Sequence, residues 1–297
     1  MTNNLFHIGF YAMGTRFEAI LCGINHKTAQ RVEASVKKKI LSLHQRLNRF
    51  DKASVISRIN HNAGIRTVKT PAEIFQLLMA CISISQQTGG LVDITIKPLL
   101  DQWQVIHGQR KNNKKPPERA LKNAKKKTGC SFITFNHKQM RIGLPAGHGI
   151  DLGAVAKGYA LDVIKKILTR ERIKNAFISF GESSVLAMGN HPAGTGWPVQ
   201  ITAPENSNRV LKTILLQNTF MSVSGNRINN RQEGHIIHPA TGMIANNKII
   251  AVAVAPSGLL ADALSTALFL DARIKTIFKN QNQIILYRLN PLNKLYV

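Results

Sequence analysis

The order in which apolar patterns alternate along the chain constrains the fold more than any other feature. The first half has mostly helical spacing, which predicts an amphipathic helix over residues 28–50 and a second helix that Pro71 opens and Gly89 and Gly90 end. The second half has mostly strand patterns, which lie at residues 176–180, 185–188, 199–203, 212–216 and 249–255.

Further elements fill the gaps in this pattern: strands at 16–22, 130–135, 139–144 and 283–289, and helices at 153–170 and 258–271. Because strands in mixed order have helices between them, we expect an α+β fold with mixed sheets and helices in two interlocked lobes, and not a doubly wound sheet. No linker rich in proline or serine separates the lobes. Residues 1–297 are therefore predicted to form a single functional domain.

A basic, polar stretch at residues 108–129 interrupts the apolar pattern and is predicted to be an insertion. Pro116 and Pro117 divide it into a loop and a short helix. Its cations are Arg110, Lys111, Lys114, Lys115, Arg119, Lys122, Lys125, Lys126 and Lys127. Two interpretations stay open: a solvated surface insertion, or a docking surface for an acidic partner or nucleic acid.

The charge balance predicts attraction to polyanions. Forty lysines and arginines against fifteen acidic residues give a net charge of +25, which suits nucleic acid, an anionic membrane surface or a phosphate-bearing small molecule. Charge alone does not choose among these. A basic nucleic-acid-binding protein remains an alternative, but the sequence has no zinc-finger spacing and only 6% aromatic residues, so no nucleic acid is expected as a partner.

Cysteine usage and the first residues bear on the compartment. Cys22, Cys81 and Cys130 have no short metal-ligand spacing, and their odd number argues against a disulfide framework, so a reducing compartment is expected. The start of the sequence has neither a signal peptide pattern nor a lipoprotein motif at Cys22. Apolar runs such as 249–256 are too short for a transmembrane segment. We expect a cytoplasmic protein, or a periplasmic one if the sequence is a processed mature form.

The most informative segment is residues 150–162. Its small residues lie between a strand end and a helix start, where the backbone can approach a ligand and the first helical N–H groups face an anion. Lys157 adds a positive charge in the first turn. This arrangement suits a diphosphate, although it matches neither a Walker A loop nor a Rossmann fingerprint. An ordinary glycine-rich helix N-terminus with a surface lysine is the alternative.

A second segment, residues 260–268, combines a carboxylate with a hydroxyl. Asp262 and Thr266 stand at i and i+4 and therefore share one face of a helix of alanines and leucines. A buried carboxylate must be paired or hold a cation, and hard oxygen ligands suit Mg²⁺ near phosphates. In the alternative, Thr266 bonds its own helix carbonyl and Asp262 interacts with the helix N-terminus.

Together with four further motifs, these segments resemble the FAD:protein FMN transferases of the ApbE type. The motifs are Met13-Gly14-Thr15 and residues 47–60, 88–99, 151–162, 235–242 and 261–268. They occur in the order of the family, between about residue 9 and about residue 271. The resemblance implies an ApbE-like α+β fold in which FAD is a substrate and Mg²⁺ is required.

The resemblance also implies a reaction and a partner. Members split FAD, attach FMN through a phosphoester to a threonine of an acceptor flavoprotein, and release AMP. Such phosphoryl transfer needs positioning, charge neutralisation and a proton acceptor. A protein of the same fold could instead bind FAD without transfer, or hydrolyse it to FMN and AMP with water as the acceptor.

The resemblance also implies which residues form the site, at the positions of this sequence that match the family motifs. The metal ligands are expected to be the Asp262 carboxylate, the Thr266 hydroxyl and the Ala154 carbonyl, while Lys157 offsets phosphate charge. The residues expected to line the flavin nucleotide are Met13, Phe50, Leu91, Val92, Asp93 and Asp151. Phe50 stands where relatives often have tyrosine, which keeps a stacking face and loses a hydroxyl.

His235 is the candidate for accepting the proton of the attacking threonine, because a histidine titrates near neutrality. A histidine that only hydrogen-bonds the nucleotide or the turn is the competing interpretation. His238 occupies a position where the family commonly has aspartate, and we expect it to be a local turn residue beside Pro239. A serine hydrolase built on Ser224 would need a G-x-S-x-G elbow, which the sequence lacks.

Two further positions depart from the family pattern. Where many members have Gly-Gly-Asp, this chain has residues 180–184, so Glu182 is expected to supply the acidic group one position away. The usual Thr-Ser-Gly is Val223-Ser224-Gly225, which removes a hydroxyl. Neither departure touches the expected metal ligands or Lys157, so FAD binding is expected more firmly than efficient transfer.

Overall fold

The computed structural model describes residues 4–106, 109–111, 114–203, 206–225 and 234–290. Gly108 and residues 112–113 of the predicted insertion therefore lie outside the described residues. None of the helices within these ranges is both long and apolar enough to cross a lipid bilayer.

Strands and helices are both present in these ranges, numbered in chain order. The strands are β1 (Leu5–Ala12), β2 (Thr15–Cys22), β3 (Val68–Lys69), β4 (Val105–Ile106), β5 (Gln109–Arg110), β6 (Thr134–Asn136), β7 (Arg141–Gly143), β8 (Asn175–Phe180), β9 (Ser184–Met188), β10 (Trp197–Ala203), β11 (Asn206–Leu216), β12 (Thr219–Gly225), β13 (Ile250–Ala255) and β14 (Ile285–Leu289). The helices are α1 (His26–Leu47), α2 (Val55–His61), α3 (Ala72–Gln87), α4 (Lys97–Gln102), α5 (Glu118–Lys125), α6 (Ala156–Arg170), α7 (Gly258–Leu270) and α8 (Ile274–Ile277).

These elements form an α+β fold, which confirms the predicted class. The described residues divide into two compact units. The first draws on Met1–His44, Val155–Asn229 and Lys248–Val297, and the second on Gln45–Ala154 and Asn230–Asn247. Each unit is thus assembled from separated stretches of chain. The expectation of one functional domain over 1–297 stays a prediction.

Most predicted elements are present, with shifted ends. The first helix ends at Leu47 and not at residue 50, because the Asn48 side chain accepts a hydrogen bond from the Phe50 N–H and starts a turn. The predicted strand at 130–135 begins as a 3-10 turn and becomes a strand only at Thr134. Sequence patterns missed β1 and β12 altogether. In β1 only Ile8 and Ala12 are buried, and in β12 two serines interrupt the apolar run.

The first unit is built on a seven-stranded antiparallel sheet in the order β1-β2-β8-β9-β12-β13-β14. Side chains alternate between the two faces of each strand. One face packs against the β10–β11 hairpin through a cluster that includes Val185, Met221, Val252, Trp197 and Leu216. The opposite face of the central strands contacts α7. Because both faces are covered, β13 is buried along its whole length and reads as a continuous apolar run.

Helices α6 and α7 of this unit touch at two glycines. A Cβ built on Gly158 would lie 2.0 Å from the Gly258 carbonyl oxygen, and one built on Gly258 would lie 2.2 Å from the Gly158 carbonyl oxygen. No real side chain tolerates such distances, so only glycine permits this backbone contact. The crossing point therefore fixes which residues of the two helices face each other.

The second unit holds α2 to α5 and two small sheets, β3-β7-β6 and β4-β5. Its core includes Leu99, Trp103 and Ile237. The Trp103 indole N–H donates to the Gly242 carbonyl at 2.7 Å, which ties the 234–247 segment to α4. The Asn60 side chain bonds both the N–H and the carbonyl of Ile150, at 2.6 and 2.9 Å, and so holds the chain just before Asp151.

Replacing Gly158 by alanine should destabilise the protein by roughly 3 kcal/mol or more, because its methyl group would collide with helix backbone that cannot move without separating the two helices. Urea unfolding followed by circular dichroism measures the change. Gly194→Ala is the matched control, since a Cβ at that position would have no atom within 4 Å, and it should change stability by less than about 0.5 kcal/mol. Equal stabilities of the two variants would contradict the close-contact explanation.

Candidate functional site

The Asp262 carboxylate lies in the interior of the first unit, with the residue only 5% exposed. Its Oδ2 accepts a hydrogen bond from the Gly158 N–H at 2.6 Å, and its Oδ1 accepts one from the Ser184 hydroxyl at 2.7 Å. Both donors are neutral, and no cationic side chain among the described residues of this unit forms an ion pair with Asp262. A buried carboxylate held by dipoles alone is suited to a cation.

The Gly158 N–H belongs to the first turn of α6, so Asp262 supplies an anion to that helix N-terminus. Asp162 of α6 likewise supplies an anion to the N-terminus of α7. Its Oδ1 and Oδ2 accept the N–H groups of Gly258 and Leu259, the first two residues of α7, at 2.7 and 2.9 Å. Burial raises the pKa of Asp162, while these two backbone N–H groups act to lower it. Each helix thus caps the other with an aspartate.

Thr266 lies one turn after Asp262 on α7 and is partly buried, as the i, i+4 spacing predicts. Its hydroxyl lies 3.4 Å from the Ser224 hydroxyl. The Asp262 main-chain carbonyl accepts a bond from the Ser265 hydroxyl at 3.0 Å. No group of three histidine, cysteine or acidic side chains with metal-site geometry occurs in the part of the chain that the structure describes. A cation here would depend on mixed oxygen ligands.

Three more of the expected residues lie in the β1–β2 turn, in the first turn of α6 and just before α6 in the chain. Lys157 is the second residue of α6 and is partly exposed. Met13 has a positive φ of 50°, and its N–H donates to His44 Nδ1 at 3.0 Å. Both belong to the first unit, as do Asp262 and Thr266. Ala154 belongs to the second unit, where it is an exposed residue immediately before Val155.

In the second unit, the structure brings Phe50 and Asp151 together through Arg49. The Arg49 side chain is 8% exposed and donates from Nε to Asp151 Oδ2 at 2.6 Å. Its other nitrogens reach Asp101 Oδ1 at 3.2 Å and the Val105 carbonyl at 3.0 Å. The guanidinium carbon lies 4.2 Å from the centre of the Phe50 ring, which is a cation–π contact. Arg49 therefore orders both expected flavin-lining side chains.

Leu91, Val92 and Asp93 follow α3, beyond the turn at Gly89 and Gly90. Asp93 is joined to the Asp151 region because the Asp151 N–H donates to the carbonyl of Ile94 at 2.8 Å. These four expected residues, Leu91, Val92, Asp93 and Asp151, therefore lie in one part of the second unit.

One oxygen of Asp93 is saturated by local donors. Asp93 Oδ1 accepts the N–H of Thr95 at 2.7 Å, the hydroxyl of Thr95 at 2.5 Å and the thiol of Cys130 at 3.1 Å. Burial, followed by the charge of Asp93, raises the pKa of Cys130 to about 12. Cys130 is therefore a protonated hydrogen-bond donor at neutral pH and not a nucleophile. Cys22, Cys81 and Cys130 are all free thiols and buried.

His235 is exposed, at the start of the described 234–290 range. It lies in the second unit. His238 has its N–H bonded to the Met243 carbonyl at 2.8 Å and its Nδ1 accepting the Ala240 N–H at 3.2 Å. This geometry confirms that His238 is a turn residue. Glu182 is exposed in the β8–β9 turn with a φ of 60°, whereas Ser184 is the residue of that stretch that contacts Asp262.

Sequence reasoning missed Arg49, Asp162 and Ser184. All three lay inside or next to segments that the motifs had marked, but their roles depend on partners distant in sequence: Asp151, the start of α7 and Asp262. No local signal marked these three residues, because the burial of Arg49 is visible only in the structure.

Comparison with known proteins agrees with this fold. The model of the ApbE family matches residues 13–285, and the chain belongs to this family. Two relatives are named FAD:protein FMN transferase. The protein of Escherichia coli (strain K12) is 26% identical over 267 residues, which cover 86% of this chain and 75% of the relative. That of Haemophilus influenzae is 25% identical over 295 residues, covering 93% and 83%.

Two solved structures share the architecture. The ApbE protein of Thermotoga maritima superposes with a TM-score of 0.86 at 26% identity, covering 96% of this chain and 94% of that one. The flavin transferase ApbE from Vibrio cholerae superposes with a TM-score of 0.84 at 22% identity, covering 96% and 93%. The second likeness concerns the fold alone.

Replacing Arg49 by lysine should destabilise the protein by about 2 kcal/mol, because one ammonium cannot replace three hydrogen bonds in fixed directions and leaves Asp151 without its partner. Arg31→Lys is the control: Arg31 pairs with Glu171, but its side chain is 55% exposed, so the loss should stay below about 1 kcal/mol. Denaturant unfolding of both variants measures the difference, and a smaller loss at Arg49 than at Arg31 would refute the role of Arg49.

Proposed function

We propose that this protein is a magnesium-dependent FAD:protein FMN transferase. The observation that carries the proposal is the Asp262 carboxylate: it is buried, its hydrogen-bond donors among the described residues are neutral, and the Thr266 hydroxyl follows one turn later. This arrangement occurs in a chain of the ApbE family, whose relatives carry the name of that activity.

The proposed metal ligands are the carboxylate of Asp262, the hydroxyl of Thr266 and the main-chain carbonyl of Ala154. The two side-chain donors fit Mg²⁺, because they are hard oxygens and the carboxylate has no cationic side-chain partner among the described residues of its unit. When bound, Mg²⁺ would neutralise charge on the FAD diphosphate. Lys157, in the first turn of α6, would offset the rest of that charge.

Binding of FAD is assigned to Met13, Phe50, Leu91, Val92, Asp93 and Asp151. Arg49 supports two of these, Phe50 and Asp151, by direct contact. Asp93 is supported by Thr95 and Cys130, which hold one of its oxygens and so orient the other. A lining whose side chains are already held by hydrogen bonds loses little entropy when the nucleotide binds.

In the proposed transfer, the hydroxyl oxygen of a threonine in an acceptor flavoprotein attacks the phosphorus nearest the riboflavin half of FAD. The new P–O bond forms as the bond to the AMP phosphate breaks, and AMP leaves. His235 accepts the hydroxyl proton. With water as the nucleophile the same site would act as an FAD diphosphatase, and the ratio of AMP to protein-bound FMN separates the two outcomes.

Asp262→Asn should reduce flavin transfer roughly a hundredfold or more, because the amide keeps the shape of the side chain but removes the charge that holds a cation. The assay incubates the protein with FAD, Mg²⁺ and an acceptor and measures covalent flavin fluorescence on the acceptor band and AMP released. Asp271→Asn, at the far end of the same helix, should transfer flavin normally. Full activity of the Asp262→Asn variant would contradict the proposed metal site.

His235→Gln should lower the rate constant of transfer by roughly two to four orders of magnitude without weakening FAD binding, because the variant loses the proton acceptor and keeps a polar side chain. It should also lose the rise in rate with pH that the free imidazole gives. His238→Gln, in the neighbouring turn, should keep both the rate and the pH profile. Undiminished transfer in His235→Gln would exclude it from the chemistry.

A further inference from the structure

Three serines of the first unit lie on one face of β9 and β12, beneath α7. Ser184 and Ser222 are directly opposite each other in the register of the two strands, and Ser224 lies two residues beyond Ser222 on the same face. Ser184 and Ser222 are 1% and 3% exposed. Neighbours on this face include Leu186 and Phe220, both also buried. A row of hydroxyls in an apolar layer is costly unless each finds a partner.

Each of these hydroxyls contacts a side chain of α7, and Ser222 and Ser224 share Ser265. Ser184 donates to Asp262 Oδ1 at 2.7 Å, Ser224 lies 3.4 Å from the Thr266 hydroxyl and 2.8 Å from that of Ser265, and Ser222 accepts from Ser265 at 3.2 Å. Ser184 is thus the one described side chain that hydrogen-bonds the carboxylate of Asp262. The other carboxylate oxygen is held by the Gly158 backbone.

We propose that Ser184 is a positioning residue for the metal-binding carboxylate of Asp262. This inference rests on the proposed function, since it gives Ser184 no contact with substrate and no role without a bound cation. Gly158 holds Oδ2 from one side and Ser184 holds Oδ1 from the other, so together they fix the plane of the carboxylate. Each oxygen keeps a second lone pair that is available to a cation.

The alternative is that Ser184 only satisfies a buried acceptor and supports the packing of α7 on the sheet. Ser222 is a matched control for that alternative: it is equally buried, lies opposite Ser184 and also bonds α7, but its partner is Ser265 and not the Asp262 carboxylate. Ser184→Ala and Ser222→Ala remove the same atom from adjacent places in one layer.

The test measures binding of Mn²⁺, a paramagnetic substitute for Mg²⁺, from the electron paramagnetic resonance signal of the free ion. The full chain is titrated with Mn²⁺, with and without FAD, and the Asp262→Asn variant defines binding that occurs elsewhere. Ser184→Ala should weaken Mn²⁺ binding roughly 10- to 100-fold, the usual loss on removing a hydrogen-bond partner of a ligating carboxylate. Ser222→Ala should bind Mn²⁺ as the unaltered chain does.

Urea unfolding of each variant checks that it folds. If the Ser184→Ala variant does not fold, Ser184→Cys is tested in its place, because a thiol is similar in size to a hydroxyl and is only a weak hydrogen-bond donor. That variant should also bind Mn²⁺ more weakly than the unaltered chain.

The outcomes separate this inference from the proposed function. If the unaltered chain binds Mn²⁺ no better than Asp262→Asn does, the proposed metal site is wrong and the role of Ser184 falls with it. If the unaltered chain binds Mn²⁺ and the Ser184 variant binds equally well, or if Ser222→Ala is weakened as much, the metal site stands and the positioning role is refuted. Selective weakening in the Ser184 variant supports it.

Discussion

The contact between Gly158 and Gly258 is the constraint on which the arrangement of the first unit depends. Backbones this close leave no freedom for one helix to slide along the other, because any side chain at either position would force them apart. With that register fixed, Asp162 meets the start of α7 and Asp262 meets the start of α6. One steric contact thus places two carboxylates, and one of them is the proposed metal ligand.

The two aspartates each accept two hydrogen bonds but differ in the donors. Both carboxylate oxygens of Asp162 accept hydrogen bonds from backbone N–H groups at a helix N-terminus, which is a structural role. One oxygen of Asp262 accepts a hydrogen bond from such an N–H group, and the other accepts one from a serine hydroxyl. An apolar side chain at position 262 would leave these two buried donors without an acceptor, which costs free energy. The Asp262 carboxylate therefore has a structural role in addition to the proposed role as a metal ligand.

The sequence allowed prediction of those features that depend on neighbouring residues. The helical spacing in α1, α3 and α7 and the continuous apolar run of β13 are local patterns, and the i, i+4 relation of Asp262 and Thr266 follows from helix geometry. The strand β12 was hidden because Ser222 and Ser224 resemble a turn sequence until their partners on α7 are known. Contacts of Arg49 and Ser184 join residues far apart in the chain, and a single sequence does not contain that information.

The division of the chain into interleaved segments bears on how the protein is made. In the first unit β2 pairs with β8, Phe17 opposite Phe180, and β9 pairs with β12. The helix with Asp262 comes still later in the chain, so a ribosome has synthesised most of the polypeptide before β8, β9, β12 and β13 can close over α7. Residues 45–154 are by then already synthesised, but the second unit is complete only with Asn230–Asn247. The face that carries Asp262 is therefore completed late in biosynthesis, and β2 keeps an exposed edge until β8 has been synthesised.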